Sequence, residues 1–174
     1  GYMLNAPTGT GSTFWEGYLD DGSFGYGGSY MSTAHGWSSG PTFSMTQWVL
    51  GVAPDSPAGQ AYHVAPHAGD LAHAEGSLSM APGKVVAVSY DHPACGDFTL
   101  HVDSSTNIGS TGVVGVPKFG KSRVVQLNGT TIWDGSKFVP SPAVASADED
   151  ANFIYFRGFA PAQATFGFYP KQCP

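Results

Sequence analysis

The chain has 174 residues, with 13 acidic and 7 basic side chains and a formal net charge of −6. Charged residues make up 11%, against about 25% in ordinary domains. No basic cluster is present, which excludes nucleic acid and an anionic membrane surface as partners. No stretch reaches the roughly 18 apolar residues of a membrane span. Aromatic residues, at 13%, predict a folded chain with a substantial core.

Loop-forming residues dominate the start of the chain. Residues 1–38 are rich in Gly, Ser and Thr and show no sustained apolar period, apart from a turn expected around residues 14–18. A Pro-rich connector occupies residues 52–59. We therefore expect an N-terminal loop and helix segment over residues 1–59, followed by a β-rich domain over residues 60–174.

One short helix is predicted at about residues 40–50. Ser38 or Ser39 can cap its start, Pro41 suits its first turn, and Gly51 fits a left-handed stop. Because one side of this helix is apolar, it has to pack against another surface. We expect a homodimer formed through the helix.

The rest of the chain has the alternating apolar and polar pattern of half-buried strands, separated by frequent turn signals. Asn128-Gly129, between two of these strands, predicts a hairpin. The pattern predicts a mainly β fold, an antiparallel β-sandwich of jelly-roll or Greek-key type. The predicted strands are residues 85–90, 98–102, 113–116, 123–127, 131–133, 153–159 and 164–169.

Two features favour a secreted protein. Cys95 and Cys173 are the two cysteines, and we expect one disulfide between them, with two buried free thiols as the alternative. Asn128 begins the glycosylation sequon Asn-Gly-Thr in a turn-like setting. Both features are typical of extracellular proteins, so we expect the chain outside the cell.

The histidines do not predict a metal centre. His63 and His67 are four residues apart, a spacing that holds zinc when it lies on a helix. Here Pro66 interrupts the segment and Gly69 follows it, so the two imidazoles do not share a helix face. We expect no metal and no cofactor.

A cluster near the N-terminus combines aromatic rings, a carboxylate and an imidazole. Its members are Trp15, Glu16, Tyr18, His35 and Trp37. Ring faces beside hydrogen-bonding groups are what a sugar site needs, and a purely structural cluster is the alternative.

Longer motifs in the same region resemble a known family. The motifs are Trp-Glu-Gly at 15–17, Ser-x-x-His-Gly-Trp-Ser-x-Gly-Pro-Thr at 32–42, Val-Leu-Gly-Val-x-Pro at 49–54, Pro-His-x-Gly-Asp-Leu at 66–71 and Pro-Gly-Lys-Val at 82–85. Together they resemble the C-terminal part of α-L-rhamnosidases, family 78 of the glycoside hydrolases, over roughly residues 12–90. The resemblance implies the end of an (α/α)6 catalytic barrel followed by an antiparallel sandwich.

The resemblance also implies roles for individual residues. Glu16 matches the family's general base, and His35 matches a histidine that contacts rhamnose, while Trp15 and Trp37 flank them. The family inverts the anomeric carbon with two acidic residues, and the general acid has no counterpart in this sequence. We therefore expect the isolated chain not to be an enzyme.

Three functions follow as hypotheses. The first is a secreted, lectin-like protein that binds carbohydrate, either rhamnose or another glycan. The second is a processed or truncated part of a rhamnosidase that needs the missing barrel, and the third is a structural or defence protein that binds no sugar. A second location for a sugar site is the sandwich loops, with Trp133, Asp134 and Tyr155 as candidates.

Overall fold

The structure, a computed structural model, describes residues 11–25, 31–93, 98–121 and 123–168. The chain divides into two compact units, Gly1–Ser44 and Met45–Pro174. No helix in the described ranges is long and apolar enough to span a bilayer.

The predicted helix is present, but it is longer and less regular than expected. A 3₁₀ turn at Gly36–Ser39 leads into the α-helix α1, Gly40–Ser44, and a π turn, Met45–Val49, opens the second unit. The Leu50 N–H donates to the Met45 carbonyl at 2.9 Å, and Gly51, with φ of +78°, ends the helical segment as predicted.

The capping prediction was wrong. His35, in extended conformation, precedes the first turn and makes no side-chain cap bond. Ser39 lies inside the turn, where its hydroxyl donates to the Gly36 carbonyl at 2.6 Å. The helical segment therefore begins at Gly36, four residues before the predicted start at residue 40.

Much of the helical segment is exposed. None of its residues is buried, and Phe43, Met45 and Trp48 are among the exposed large apolar side chains. Leu50, directly after the last turn, is the first residue here to enter the core. The π turn is covered in part, since Trp48 stacks on His67, whereas Phe43 and Met45 remain exposed.

Eleven strands make up the rest of the described chain. They are β1 Val52–Pro54, β2 Ala61–Val64, β3 His73–Ala81, β4 Lys84–Asp91, β5 Phe98–Asp103, β6 Thr111–Pro117, β7 Val124–Leu127, β8 Thr130–Asp134, β9 Ser146–Glu149, β10 Phe153–Phe159 and β11 Gln163–Phe168. A 3₁₀ turn, Pro57–Gly59, joins β1 to β2. All seven predicted strands are present. The strands without a counterpart in the prediction are β1, β2, β3 and β9.

The strands form two sheets that enclose one core. The five-stranded sheet has the order β1-β2-β6-β10-β9, and the six-stranded sheet has the order β3-β4-β5-β11-β7-β8. All pairings are antiparallel except that of β2 with β6. Alternate residues such as Val114, Phe156, Leu100 and Phe166 point into the apolar core. The predicted β-sandwich is confirmed.

The predicted hairpin is confirmed as the β7–β8 connection. Asn128 and Gly129 both have positive φ, 48° and 82°, as a two-residue type I′ turn requires. The strand pairing on either side runs from Leu127 with Thr130 to Val124 with Asp134.

Candidate functional site

The sequence-predicted cluster is assembled by two short segments of the first unit. The Glu16 N–H donates to the Ser32 carbonyl at 2.8 Å, and the His35 N–H donates to the Phe14 carbonyl at 2.9 Å. The Ser32 N–H in turn donates to Glu16 Oε2 at 3.2 Å. These main-chain bonds place Glu16 and His35 side by side although they are far apart in sequence.

The side chains of this cluster lie close enough to act on one ligand. Glu16 Oε2 lies 3.9 Å from His35 Nδ1, and the two side chains are 31% and 20% exposed. The imidazole of His35 stacks on the indole of Trp37, with ring centroids 5.2 Å apart and an interplanar angle of 27°. Trp37 is 86% exposed. A carboxylate, an imidazole and an open ring face therefore occupy one surface.

One nitrogen of this cluster has an unmet hydrogen-bonding capacity. His35 Nε2 is buried, and in the described part of the chain it has no hydrogen-bond partner. A buried polar atom without a partner costs free energy. Because this nitrogen has no accessible surface, a ligand cannot reach it without a rearrangement of the cluster.

The other two predicted members lie differently. Trp15 is buried and packs against Phe24, with ring centroids 4.7 Å apart. Its ring therefore offers little surface to a ligand and instead supports the segment that carries Glu16. Tyr18 is half exposed.

The alternative residues on the sandwich do not form one cluster. Trp133 is buried in β8 of the six-stranded sheet. The Asp134 carboxylate accepts hydrogen bonds from the main-chain N–H groups of Lys137 and Ser136, both at 2.9 Å, which lower its pKa. Tyr155 lies in β10 of the other sheet. The Asp134 carboxylate is thus engaged by the main chain of the turn that follows it. The three residues do not share a site.

Among the described residues, three histidines form a side-chain hydrogen bond. His63 Nδ1 lies 2.6 Å from an Asp55 oxygen, and His73 Nδ1 lies 2.8 Å from an Asp91 oxygen. His101 pairs with the Thr165 hydroxyl at 2.9 Å. Across the described ranges, no group of three or more His, Cys, Asp or Glu side chains is arranged to hold a metal ion.

The remaining predicted features concern covalent modification. Cys95 and Cys173, the expected disulfide pair, lie outside the described residues. Asn128 is exposed in the β7–β8 turn, and its Oδ1 accepts a hydrogen bond from the Thr165 N–H at 2.9 Å. Glycosylation at this position stays a prediction.

Sequence reasoning missed a groove on the outer face of the five-stranded sheet. It has a volume of about 360 Å³, and its aromatic walls include Trp48, His67, Phe153 and Tyr155. No sequence signal joins these residues, because the β2–β6 and β6–β10 pairings bring distant segments together.

Comparisons with known proteins gave results at the level of structure. No protein-family model matches the chain, and no curated protein matches it by sequence. An α-L-rhamnosidase from Dictyoglumus thermophilum is similar in structure, with a TM-score of 0.66 and 20% identity. That similarity covers 91% of this chain and 16% of the rhamnosidase.

A second rhamnosidase gives the same result. The α-L-rhamnosidase of Streptomyces avermitilis, whose structure holds L-rhamnose, matches with a TM-score of 0.60 and 18% identity. The match covers 89% of this chain and 13% of that enzyme. At these identities the comparison shows a shared fold, and the chain corresponds in extent to a small part of each enzyme.

Proposed function

We propose that this chain is a sugar-binding part of an α-L-rhamnosidase-like protein and has no catalytic activity alone. Glu16, His35 and Trp37 are proposed to contact a rhamnose-type sugar. The observation that carries the proposal is the juxtaposition of Glu16 Oε2 and His35 Nδ1 beside the exposed Trp37 ring. The fold shared with two rhamnosidases supports it.

Each side chain has a distinct role in this proposal. The open indole of Trp37 packs against the C–H face of a sugar ring, since an aromatic face carries partial negative charge. The Glu16 carboxylate accepts hydrogen bonds from hydroxyl groups. The His35 imidazole lies beside that carboxylate and stacks on the Trp37 indole, which orients the exposed ring.

Asp21, another carboxylate of the first unit, does not have the raised pKa of a general acid. Inverting glycosidases need a general acid with a raised pKa and a second carboxylate as base. Asp21 accepts bonds from the hydroxyl and N–H of Ser23, which lower its pKa. This carboxyl group is therefore unsuited to deliver a proton near neutral pH.

Titration calorimetry with methyl α-L-rhamnoside tests the binding, and release of p-nitrophenol from its α-L-rhamnoside tests turnover. We expect measurable binding, no release, and weaker binding for His35→Ala. Phe43→Ala, an exposed change in the same unit, is the matched control and should bind like the unchanged chain. Release of p-nitrophenol by the chain alone would contradict the proposal.

A second candidate function is that of a hydrolase segment that completes a catalytic site supplied by further chain. It is favoured by the coverage of only 13% and 16% of the two rhamnosidases. Rhamnoside release by a longer chain containing these residues, abolished by Glu16→Gln, would support this function. Release that is insensitive to Glu16→Gln would argue against it.

Secretion belongs to the same proposal. The exposed sequon at Asn128 supports it. Expression in a secreting eukaryotic host should add a glycan that is absent from Thr130→Val, as measured by intact mass. An unmodified secreted chain would remove this support.

A further inference from the structure

A second aromatic surface lies on the sandwich, within the second unit. The groove on the outer face of the five-stranded sheet has a volume of about 360 Å³, within the range of small-molecule sites. It is bounded by the π turn on one side and by β10 on the other. We call it the β10 groove.

The walls of the β10 groove are a continuous row of rings. Trp48 stacks on His67, with centroids 5.0 Å apart and an angle of 22°, and His67 meets Phe153 edge-on at 5.1 Å. Phe153 in turn packs against Tyr155 at 5.6 Å. His67 covers one face of the Trp48 indole, yet Trp48 is 60% exposed, so its other face is open.

The floor of the groove is made of small side chains. Ala53, Ala65 and Val113 line it between the aromatic walls. Gly115 lies beside Tyr155 on the neighbouring strand, and a Cβ there would lie 3.0 Å from the Ala65 Cβ and 3.1 Å from Tyr155 Cε1, so a larger residue would displace these neighbours. The concavity therefore follows directly from residue size along β1, β2 and β6.

Apart from the aromatic walls, the polar side chains that line the groove are His63 and Gln47, and His63 is oriented by a hydrogen bond. His63 Nδ1 bonds to Asp55 Oδ1 at 2.6 Å, and because an ionised carboxylate only accepts, Nδ1 carries the proton. Nε2 is then the ring nitrogen left for a ligand. The Gln47 side chain also lines the groove and brings both a donor and an acceptor.

The far wall is held rigidly. The Tyr155 hydroxyl donates to Asp150 Oδ2 at 3.1 Å, and the Arg157 guanidinium lies 5.6 Å from the Tyr155 ring centroid. Arg157 is itself fixed by two hydrogen bonds to Asp148. A ring that is already fixed loses little conformational entropy when a ligand packs on it.

We infer that the β10 groove binds one or two sugar units of a neutral glycan, stacked on Trp48 and Tyr155 and hydrogen-bonded by His63 and Gln47. Aromatic walls with a few oriented polar groups match a ring that has an apolar C–H face and a rim of hydroxyls. An anionic ligand fits less well, since Arg157 is already paired with Asp148. All residues that line the groove belong to the second unit, and the inference does not rest on the Glu16 cluster.

The four indole N–H signals in a ¹H–¹⁵N spectrum of the full chain provide the test. Trp37 and Trp48 are exposed, whereas Trp15 and Trp133 are buried and serve as internal controls. The probes are methyl α-L-rhamnoside, methyl β-D-glucoside and methyl β-D-galactoside, titrated separately. We expect at least one of them to shift the Trp48 signal in a saturable manner while the buried indoles stay still.

Variants then locate the site. His63→Ala and Tyr155→Ala should lower the sugar affinity obtained from the Trp48 titration about tenfold. Tyr155→Phe should keep that affinity, because the hydroxyl is engaged with Asp150 and the ring is kept. A Trp48 response that is unchanged in both alanine variants would overturn the inference.

Two further outcomes would also overturn it and leave the proposed function intact. One is that sugar shifts Trp37 alone, which would leave the Glu16 cluster as the sugar site. The other is that the Trp48 signal moves with protein concentration and not with sugar, which would make this face an interface between two copies. A shift of Trp48 that survives His35→Ala supports the inference even if Trp37 never responds.

Discussion

Glu16 and His35 face each other, with Oε2 and Nδ1 3.9 Å apart, on two segments joined by main-chain hydrogen bonds. The Ser32 N–H also binds the Glu16 carboxylate. The main chain rather than an ion pair therefore sets the geometry of the cluster, and side-chain changes can test binding without first dismantling the site.

Glu16 should matter to sugar binding through its charge as well as its shape. Glu16→Gln keeps an oxygen that can accept from the Ser32 N–H, whereas Glu16→Ala removes it. Hydrogen bonds to a charged acceptor are about twice as strong as neutral ones. We therefore expect the affinity for methyl α-L-rhamnoside, measured by calorimetry, to be highest for the unchanged chain, lower for Glu16→Gln and lowest for Glu16→Ala. Equal affinities for all three chains would remove Glu16 from the site.

Gly51 should be indispensable for the end of the helical segment. Its φ is +78°, and a Cβ there would lie 2.3 Å from main-chain atoms of Ala65 and Pro66. Gly51→Ala should therefore cost more than about 3 kcal/mol, since it adds a main-chain clash to the left-handed strain of about 1–2 kcal/mol. Thermal unfolding measures the effect.

Gly83 is the matched control for that change. It also has a positive φ, +74°, but a Cβ there meets nothing within 4 Å. Gly83→Ala should cost only the left-handed strain, about 1–2 kcal/mol. If both alanine variants lost a similar amount of unfolding free energy, the close contact of Gly51 with Ala65 and Pro66 would not limit the residue at position 51.

His92 should make stability fall in mildly acidic solution. Burial, and then the positive charge of Arg123, lower the pKa of His92 below its ordinary value of 6.5. The unfolded chain thus binds the proton more readily, so stability contributed by neutral His92 is present above about pH 6.5 and is lost as the pH falls through the folded pKa. Chemical unfolding between pH 7 and 5 measures it, and His92→Gln should flatten the profile.

Asp150 gives a control in a different pH window. Hydrogen bonds from the N–H groups of Phe153 and Asn152 lower its pKa from 3.8. The ionised Asp150 carboxylate therefore stabilises the folded chain above about pH 4, and this stability is lost as the pH falls through the folded pKa. Asp150→Asn should therefore change only the acid limb. If His92→Gln changed the acid limb instead, the assignment of the upper limb to His92 would be wrong.

The β7–β8 turn should distinguish backbone conformation from hydrogen bonding. Asn128 has φ of 48° and accepts the Thr165 N–H. Asn128→Gly keeps the left-handed conformation but loses the hydrogen bond, which should lower the free energy of unfolding by about 1 kcal/mol. Asn128→Ala loses both, so it should cost about 1–2 kcal/mol more, as measured by unfolding. An alanine variant as stable as the glycine variant would contradict this.

The sequence predicted most of the strands that bury alternate side chains, but it missed β2, a four-residue strand with the same alternation. β10 alternates core residues such as Ile154 and Phe156 with outward side chains, and that alternation is visible in the sequence. β9 escaped prediction because its side chains are largely exposed and carry little apolar periodicity. β3 was missed although Ala74, Leu78 and Met80 alternate with polar residues and pack against the core. β1 escaped because it has only three residues and ends at Pro54.

Of the two candidate sites, one was predictable from the sequence and the other was not. The Glu16 cluster was predictable because its residues lie in two short motifs of unusual composition, although the burial of Trp15 was not. The β10 groove was not predictable, since Trp48, His63 and Tyr155 meet only through a parallel β2–β6 pairing and the register of β6 with β10. Such pairings depend on long-range contacts that local patterns do not encode.

The most direct test of the central claim is the indole signal of Trp37 during titration of the full chain with methyl α-L-rhamnoside. Binding at the Glu16 cluster predicts a saturable shift of Trp37 that disappears in His35→Ala, while the buried Trp133 signal stays unchanged. A Trp37 signal that never moves, or that moves equally in His35→Ala, would contradict the proposal that Glu16, His35 and Trp37 form a sugar site.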